Sequence, residues 1–276
     1  MAINHTIRKT SIGGSEIAAM LGLCEYQSPY GLWLSKTGRA EPFMGNADTR
    51  RGKAMEPALI QLLAYELEPQ GFKIIPWDET VTREIDGYTY FSSPDAGIEH
   101  EAYADGGAEL KTYAGYLPTL EAVEEKKPGW LLQCQHCMNI TGRTWWVLCW
   151  MDSTWALHYE FIAADPILQA KIIKEIRTWW DSYVVTDTPP PFDRPLDFAA
   201  IAGNGDYRET SPDMYIFLQE LREKKSQLSQ LEQEISLDSD AVKMAIGLSD
   251  GLTYGGRKAV SWKMNRAGSR VFRLNI

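Results

Sequence analysis

Three consecutive prolines, Pro189, Pro190 and Pro191, divide this 276-residue chain more sharply than any other feature in it. Proline lacks an amide hydrogen and clashes with the preceding helical turn, so neither a helix nor a sheet ladder runs through such a triplet. A packed core built from the preceding residues is therefore expected to end near here. That stretch is long enough to bury a real core, and the remainder is expected to form an appendage.

Upstream of the break, the hydrophobic period changes several times. Arg8 to Ala19 reads as a short loop feeding a helix, with Gly13-Gly14 ending the loop and Ser15 as its N-cap. Ser28-Pro29 opens a second helix, and Met55 to Leu67 a third, striped by Leu59, Leu62, Leu63 and Leu67. Strands follow at Phe72 to Ile75, Gly87 to Phe91 and Ala108 to Thr112. Gly97 to Gly107 reads as a long acidic loop carrying Glu99, Glu101 and Asp105. A helix over Leu131 to Ile140 comes next, then strands at Thr144 to Met151 and Tyr159 to Ile162, then a long helix over Asp165 to Tyr183. Helices, a mostly β middle, a helix, more strand and a helix imply a mixed α/β core with helices flanking one central sheet.

Beyond the prolines, Met214 to Ser236 reads as a charged amphipathic helix with an imperfect apolar seam, short for a coiled coil. Lys258 to Lys263 and Arg270 to Leu274 read as a hairpin. The expected organisation is a core over 1–205, a helical extension over 206–247 and a basic hairpin tail over 248–276. From Gly251 to Ile276 there is no acidic side chain, while Arg257, Lys258, Lys263, Arg266, Arg270 and Arg273 are basic. The net charge of −9 does not advertise a nucleic-acid binder, but carboxylates that hold metal ions count against that tally. With Trp262 and Phe272, the tail could touch nucleic acid or a partner protein, or pack on an acidic core. No apolar run approaches a membrane span, and the first residues lack a signal-peptide pattern, so a cytoplasmic location is expected. Cys24, Cys134, Cys137 and Cys149 do not form a secreted disulfide framework.

The residues with the clearest chemistry are Pro94-Asp95 and Glu109-Leu110-Lys111. Cleaving a phosphodiester calls for a divalent cation to neutralise the phosphate and acidify a water. Hard cations take oxygen ligands, and Asp95 and Glu109 would supply them, with the Leu110 carbonyl as a further candidate. Residues i and i+2 share a strand face, so Glu109 and Lys111 point together while Leu110 points into the core. A lysine there can orient water or stabilise developing charge. Without other support, Asp95 can equally be a turn residue, and Glu109 and Lys111 an exposed strand pair.

Three further features add weight. Glu56, in Arg51-Gly52-Lys53-Ala54-Met55-Glu56-Pro57, is either a favourable charge at a helix start or a third acid near the metal. Gln133 lies on the helix after the Glu-x-Lys strand, where it could hold the lysine or a phosphate. Gln135 reads as solvent-facing, and His136 as structural. Arg8 and Ser15 bracket the Gly13-Gly14 turn and would suit a terminal phosphate, or be a surface arginine and an ordinary cap.

Taken together, these stretches resemble the YqaJ-like viral recombinase family, relatives of phage lambda exonuclease within the PD-(D/E)XK nucleases. The matching residues are Ile12 to Ile17, Tyr26 to Tyr30, Leu32 to Gly38, Arg51-Gly52 with Glu56-Pro57, Ser93 to Ala96, Glu109 to Lys111, and Gln133 to Met138 with Thr141-Gly142. The resemblance implies a restriction-endonuclease-like α/β core. It implies metal ligands at Asp95 and Glu109, an accessory acid at Glu56, a catalytic lysine at Lys111, an active-site glutamine at Gln133 and a 5′-phosphate pocket at Arg8 and Ser15. It implies Mg²⁺, with Mn²⁺ as an alternative, and two ions when substrate is bound. It implies 5′→3′ digestion of linear duplex DNA, leaving 3′ single strands for an annealing protein, and a ring-shaped homotrimer. The sequence departs from the family at Ala96, where glycine is common, and at Trp130, where tyrosine is common. Competing readings are an iron–sulfur RecB-like nuclease using all four cysteines, a sequence- or structure-specific endonuclease, and a non-catalytic DNA-binding assembly protein.

Overall fold

A computed structural model describes residues 5–40, 45–77, 79–192, 197, 205, 207–265 and 268–275. Arg266 of the basic tail and the inner part of the expected hairpin loop lie outside them. The chain divides into two compact units, Met1–Ala202 and Gly203–Ile276.

The first unit begins with helix α1 (His5–Thr10), a 3-10 turn (Gly14–Glu16), α2 (Ile17–Met20) and α3 (Pro29–Lys36). Arg8 is thus helical, not in a loop. Gly13 occupies the cap position expected of Ser15, and the Glu16 side chain accepts from Gly13 N at 2.8 Å. Ser28 caps α3 by accepting from Gly31 N at 2.9 Å, and Pro29 fills the first turn, where no amide is needed.

Helix α4 (Ala47–Leu67) starts eight residues before the expected Met55. A reciprocal cap explains this start: Asn46 Oδ1 accepts from Thr49 N at 2.9 Å, and Thr49 Oγ1 from Asn46 N at 2.8 Å. Pro57 lies inside the helix. Glu56 therefore sits well inside α4, beyond the first-turn position where a helix dipole rewards an acid.

The strands are β1 (Phe72–Pro76), β2 (Val81–Ile85), β3 (Tyr88–Ser92), β4 (Ala96–His100), β5 (Tyr103–Thr112), β6 (Trp145–Met151) and β7 (Leu157–Ala163). β2 and β3 form a separate hairpin. The central sheet runs β1-β4-β5-β6-β7, with β5 and β6 parallel and the other pairs antiparallel, so it is mixed. The segment expected to be an acidic loop is instead the β4–β5 hairpin, turning at Glu101-Ala102. Its glycines are demanded by neighbours. A Cβ at Gly106 would lie 2.4 Å from the Trp145 ring, and one at Gly107 2.3 Å from Trp146. Glycine here makes room for tryptophan rather than marking a turn.

Alternation along β6 sorts the core into two faces. Val147, Cys149 and Met151 join Leu110, Ile98 and the α4 leucines Leu59, Leu63 and Leu67. Trp146, Leu148 and Trp150 point the other way, onto Cys134, Cys137 and Met138 of α6 (Pro128–Thr141) and Val123 of α5 (Leu120–Lys126). Complete burial of each aliphatic side chain stabilises by roughly 1.5–3 kcal/mol. A third cluster joins Ile12, Ile17, Leu32 and Trp33 to Tyr90 and to Ile172 and Ile176 of α7 (Pro166–Trp179). Asp165 caps α7, accepting from Ile167 N and Leu168 N, and a π turn (Trp180–Val185) ends it.

In the second unit, α8 (Pro212–Ile246) is longer than expected at both ends. It leads into β8 (Gly251–Tyr254), β9 (Arg257–Met264) and β10 (Arg270–Leu274), a three-stranded antiparallel sheet rather than a hairpin alone. Gly255 and Gly256 have φ of +56° and +79°, which suits the tight β8–β9 turn.

Candidate active site

Antiparallel pairing of β4 with β5 sets Ala96 opposite Ala108, which brings Asp95, just ahead of β4, beside Glu109. Asp95 Oδ2 is locked there by accepting from Leu110 N at 2.8 Å. Leu110 packs with α4, so Glu109 and Lys111 project together toward α6, as their spacing predicts. Lys111 Nζ donates to Glu109 Oε1 at 2.6 Å and to Gln133 Oε1 at 3.0 Å. Gln133 Nε2 donates to the same Glu109 oxygen at 2.6 Å. Glu109, Lys111 and Gln133 form one closed hydrogen-bonded group, with Asp95 against it.

This group is buried: Glu109 is 2% exposed. Burial, the Asp95 charge and the contact with its carboxyl push Glu109 up to about 8, against the pull of Lys111. Burial also raises Asp95, opposed by Lys111 and the Leu110 amide. For Lys111, burial lowers the pKa, but Glu109 and Asp95 outweigh it and hold the ammonium charged. Glu109 Oε2 is buried without a hydrogen-bond partner. Two adjacent carboxylates beside one lysine cannot both ionise in a dry site without further positive charge. A hard divalent cation supplies what is missing, so Asp95 and Glu109 fit such an ion chemically.

The other predicted residues are placed differently. Among the described residues, no three His, Cys, Asp or Glu side chains gather as a metal-holding group. Asp105 is four residues from Glu109 on β5, about 13 Å along the strand, and Glu99 and Glu101 lie toward the same turn. The acidic segment therefore leads away from the centre. Gln135 is buried, not solvent-facing: it donates to Ala163 O at 2.8 Å and accepts from Asp165 N at 2.9 Å, tying α6 to the start of α7. His136 is structural, as expected. Its Nε2 meets Phe91 O at 2.9 Å, and burial lowers its pKa to about 4. Cys149 lies on the α4 face of the sheet, and Cys134 and Cys137 on the α6 face. The sheet between them prevents the four cysteines from sharing one iron–sulfur cluster, and burial raises all three thiols.

The Arg8 and Ser15 segment reaches the centre through packing. A Cβ at Gly14 would lie 3.0 Å from Gln133 Cγ, so the 3-10 turn rests on the side chain that holds Lys111. Ser15 is exposed, and the Arg8 guanidinium lies 6.0 Å from the Phe91 ring and 4.0 Å from Glu16. Arg8 Nε is buried without a partner. Sequence reasoning missed Lys36. Its Nζ is buried and donates to Arg8 O at 2.6 Å, Ser11 O at 2.8 Å and Glu16 Oε2 at 2.7 Å. It thereby clamps the N-terminal segment to α3. Its i+4 spacing from buried Leu32 was the available signal.

Comparison with known proteins agrees with this architecture. Uncharacterized protein YqaJ of Bacillus subtilis (strain 168) is 26% identical over 136 residues, which is 49% of this chain and 40% of that protein. This chain therefore matches less than half of that relative's length. A structure from Eubacterium rectale assigned as an exonuclease superposes with a TM-score of 0.50 at 10% identity, covering 78% of this chain and 95% of that one. It shares the α/β fold described above. An alkaline exonuclease from Laribacter hongkongensis in complex with dAMP gives a TM-score of 0.48 at 20% identity, covering 70% and 93%. The pattern of the YqaJ-like viral recombinase domain matches residues 5–144, just over half the chain and including Asp95, Glu109, Lys111 and Gln133, so this protein belongs to the YqaJ-like viral recombinase family.

Proposed function

We propose that this protein is a metal-dependent deoxyribonuclease that digests linear duplex DNA from its 5′ ends and leaves 3′ single strands for recombination by annealing. The observation that carries this reading is the buried Asp95–Glu109–Lys111–Gln133 group with its unpartnered Glu109 oxygen. Asp95, Glu109 and the Leu110 carbonyl would hold Mg²⁺ or Mn²⁺, with a second ion arriving with substrate and Glu56 as accessory acid. Such an ion neutralises phosphate charge and lowers the pKa of water. Gln133 and Glu109 fix the Lys111 ammonium from two sides, which pre-orients it for an attacking water or a developing oxyanion. Arg8, with Ser15 and the Gly13-Gly14 turn, would hold the terminal 5′-phosphate, and Gly14 couples that hold to Gln133. The family resemblance further supports a homotrimer, an annealing-protein partner and action in the cytoplasm of a bacterial host. Among the described residues no helix is long and apolar enough to cross a membrane.

The test uses linear duplex DNA labelled at each strand end, with 5′-phosphate or 5′-hydroxyl, beside a closed circle. Expected is mononucleotide release from 5′-phosphorylated ends in Mg²⁺, abolished by EDTA and by Lys111→Ala. Cutting of the closed circle would replace this reading with an endonuclease. DNA binding without metal-dependent cleavage would replace it with a non-catalytic assembly role.

A further inference from the structure

Lys36 carries a charge that its structural task does not require. Its side chain is 2% exposed, and its Nζ donates to Arg8 O at 2.6 Å, Ser11 O at 2.8 Å and Glu16 Oε2 at 2.7 Å. Burial pulls Lys36 below its ordinary pKa, and Glu16 pulls it back. Three acceptors need three N–H groups, which only the protonated amine has, so the geometry is that of an ammonium. Taking such a charge out of water is costly, and a neutral donor could tie two carbonyls together. What a cation alone adds is neutralisation of Glu16.

Glu16 stands between two cations. Its Oε2 accepts from Lys36 and from Gly13 N, while its Oε1 is 4.0 Å from Arg8 NH1, beyond hydrogen-bond reach. Arg8 Nε is buried with no partner, although the side chain as a whole is 34% exposed. One carboxylate cannot balance both cations, so positive charge is left over at a guanidinium that reaches solvent. Without Lys36, Glu16 and Arg8 would cancel, and a guanidinium this near would close on the carboxylate in a two-pronged pair. The same ammonium holds the Arg8 carbonyl, so it also fixes the backbone from which the guanidinium extends. Building on the assignment of Arg8 to the terminal phosphate, we propose that Lys36 is a positioning residue for 5′-phosphate recognition: by occupying Glu16, it keeps the Arg8 guanidinium free for the phosphate and so sets the preference for phosphorylated DNA ends.

Binding tests this without cleavage. The probe is a hairpin duplex with a dye in its loop and one open end, carrying either a 5′-phosphate or a 5′-hydroxyl. Its affinity is measured by fluorescence anisotropy in Mg²⁺, with Lys111→Ala in every protein to prevent digestion. The readout is the ratio of the two affinities, which a change in stability does not move while the protein is folded. The Lys111→Ala protein is expected to prefer the phosphate. Adding Lys36→Met should lower that preference about tenfold or more, the worth of one charged hydrogen bond. Adding Glu16→Gln to Lys36→Met should restore most of it, because no carboxylate then competes for Arg8. If Lys36→Met does not fold, Lys36→Gln, which keeps N–H donors without the charge, should show the same loss. An unchanged preference in a folded Lys36 variant, or no recovery with Glu16→Gln, overturns the role of Lys36 and leaves Arg8 as the phosphate ligand. Equal affinity for both ends in the Lys111→Ala protein removes the phosphate site itself, and the role of Lys36 with it.

Discussion

Glu109 should destabilise the metal-free protein as pH rises, and Glu109→Gln should remove that effect. Burial and Asp95 move this carboxyl from an ordinary value near 4.5 to about 8. In that window the folded protein holds a proton that the unfolded chain has released. Stability therefore falls with rising pH between about 4.5 and 8, and the contribution is flat on either side. At about 1.4 kcal/mol per pH unit, the full loss is on the order of 5 kcal/mol. The substitution keeps the shape and cannot ionise. Urea unfolding in EDTA at pH 5, 6, 7, 8 and 9 should show Glu109→Gln gaining on the parent protein steadily up to pH 8. Mg²⁺ should flatten the parent profile by compensating the charge, release close to one proton on binding at pH 7, and leave the variant unaffected. The variant should bind no ion and cleave no DNA. Parallel profiles for the two proteins in EDTA would refute the reasoning, because they would mean that Glu109 already ionises in the folded state at its ordinary pKa.

Gln133→Leu should lower cleavage about 10- to 100-fold with little change in unfolding midpoint, because it frees Lys111 from one of its two partners. Gly107→Ala should cost about 1–3 kcal/mol or more in chemical denaturation, since its Cβ would meet the Trp146 ring at 2.3 Å. Gly52→Ala, a helical position with nothing within 4 Å, should instead stabilise by roughly 0.5–1 kcal/mol. Lys36→Met should destabilise by roughly 3–5 kcal/mol, as it removes the buried ammonium from the Glu16 carboxylate and from two carbonyls. Below pH 6.5 the buried neutral His136 should lose the protein up to about 3 kcal/mol as pH falls toward 4, and His136→Gln should remove that acid slope.

Much of the site was legible before any coordinates. A two-residue strand period put Glu109 and Lys111 on one face, and the oddness of an amide on a core-facing helix singled out Gln133. What misled were residues whose local meaning differs from their tertiary one. The leucine stripe suggested a helix start at Met55, although the cap at Asn46 and Thr49 begins α4 eight residues earlier. Gly106 and Gly107 read as the end of a loop, although they are spaces for tryptophan rings. Gln135 looked like surface because its partners, Ala163 and Asp165, lie about 30 residues away in the chain.

The sequence by itself determined most element types, the mixed α/β class, the shared strand face of Glu109 and Lys111, and the family, because these rest on periodicity and motif order along the chain. Only the tertiary structure decided what surrounds those residues. Pairing of β4 with β5 brings Asp95 to Glu109, and α6 closes over them with Gln133. The sheet separates Cys149 from Cys134 and Cys137, and packing sends the acidic hairpin away from the centre. Desolvation and contact depend on which distant segments meet, and no local pattern encodes that. The raised Glu109 and its unpartnered oxygen, on which the proposed chemistry depends, exist only once the chain has folded.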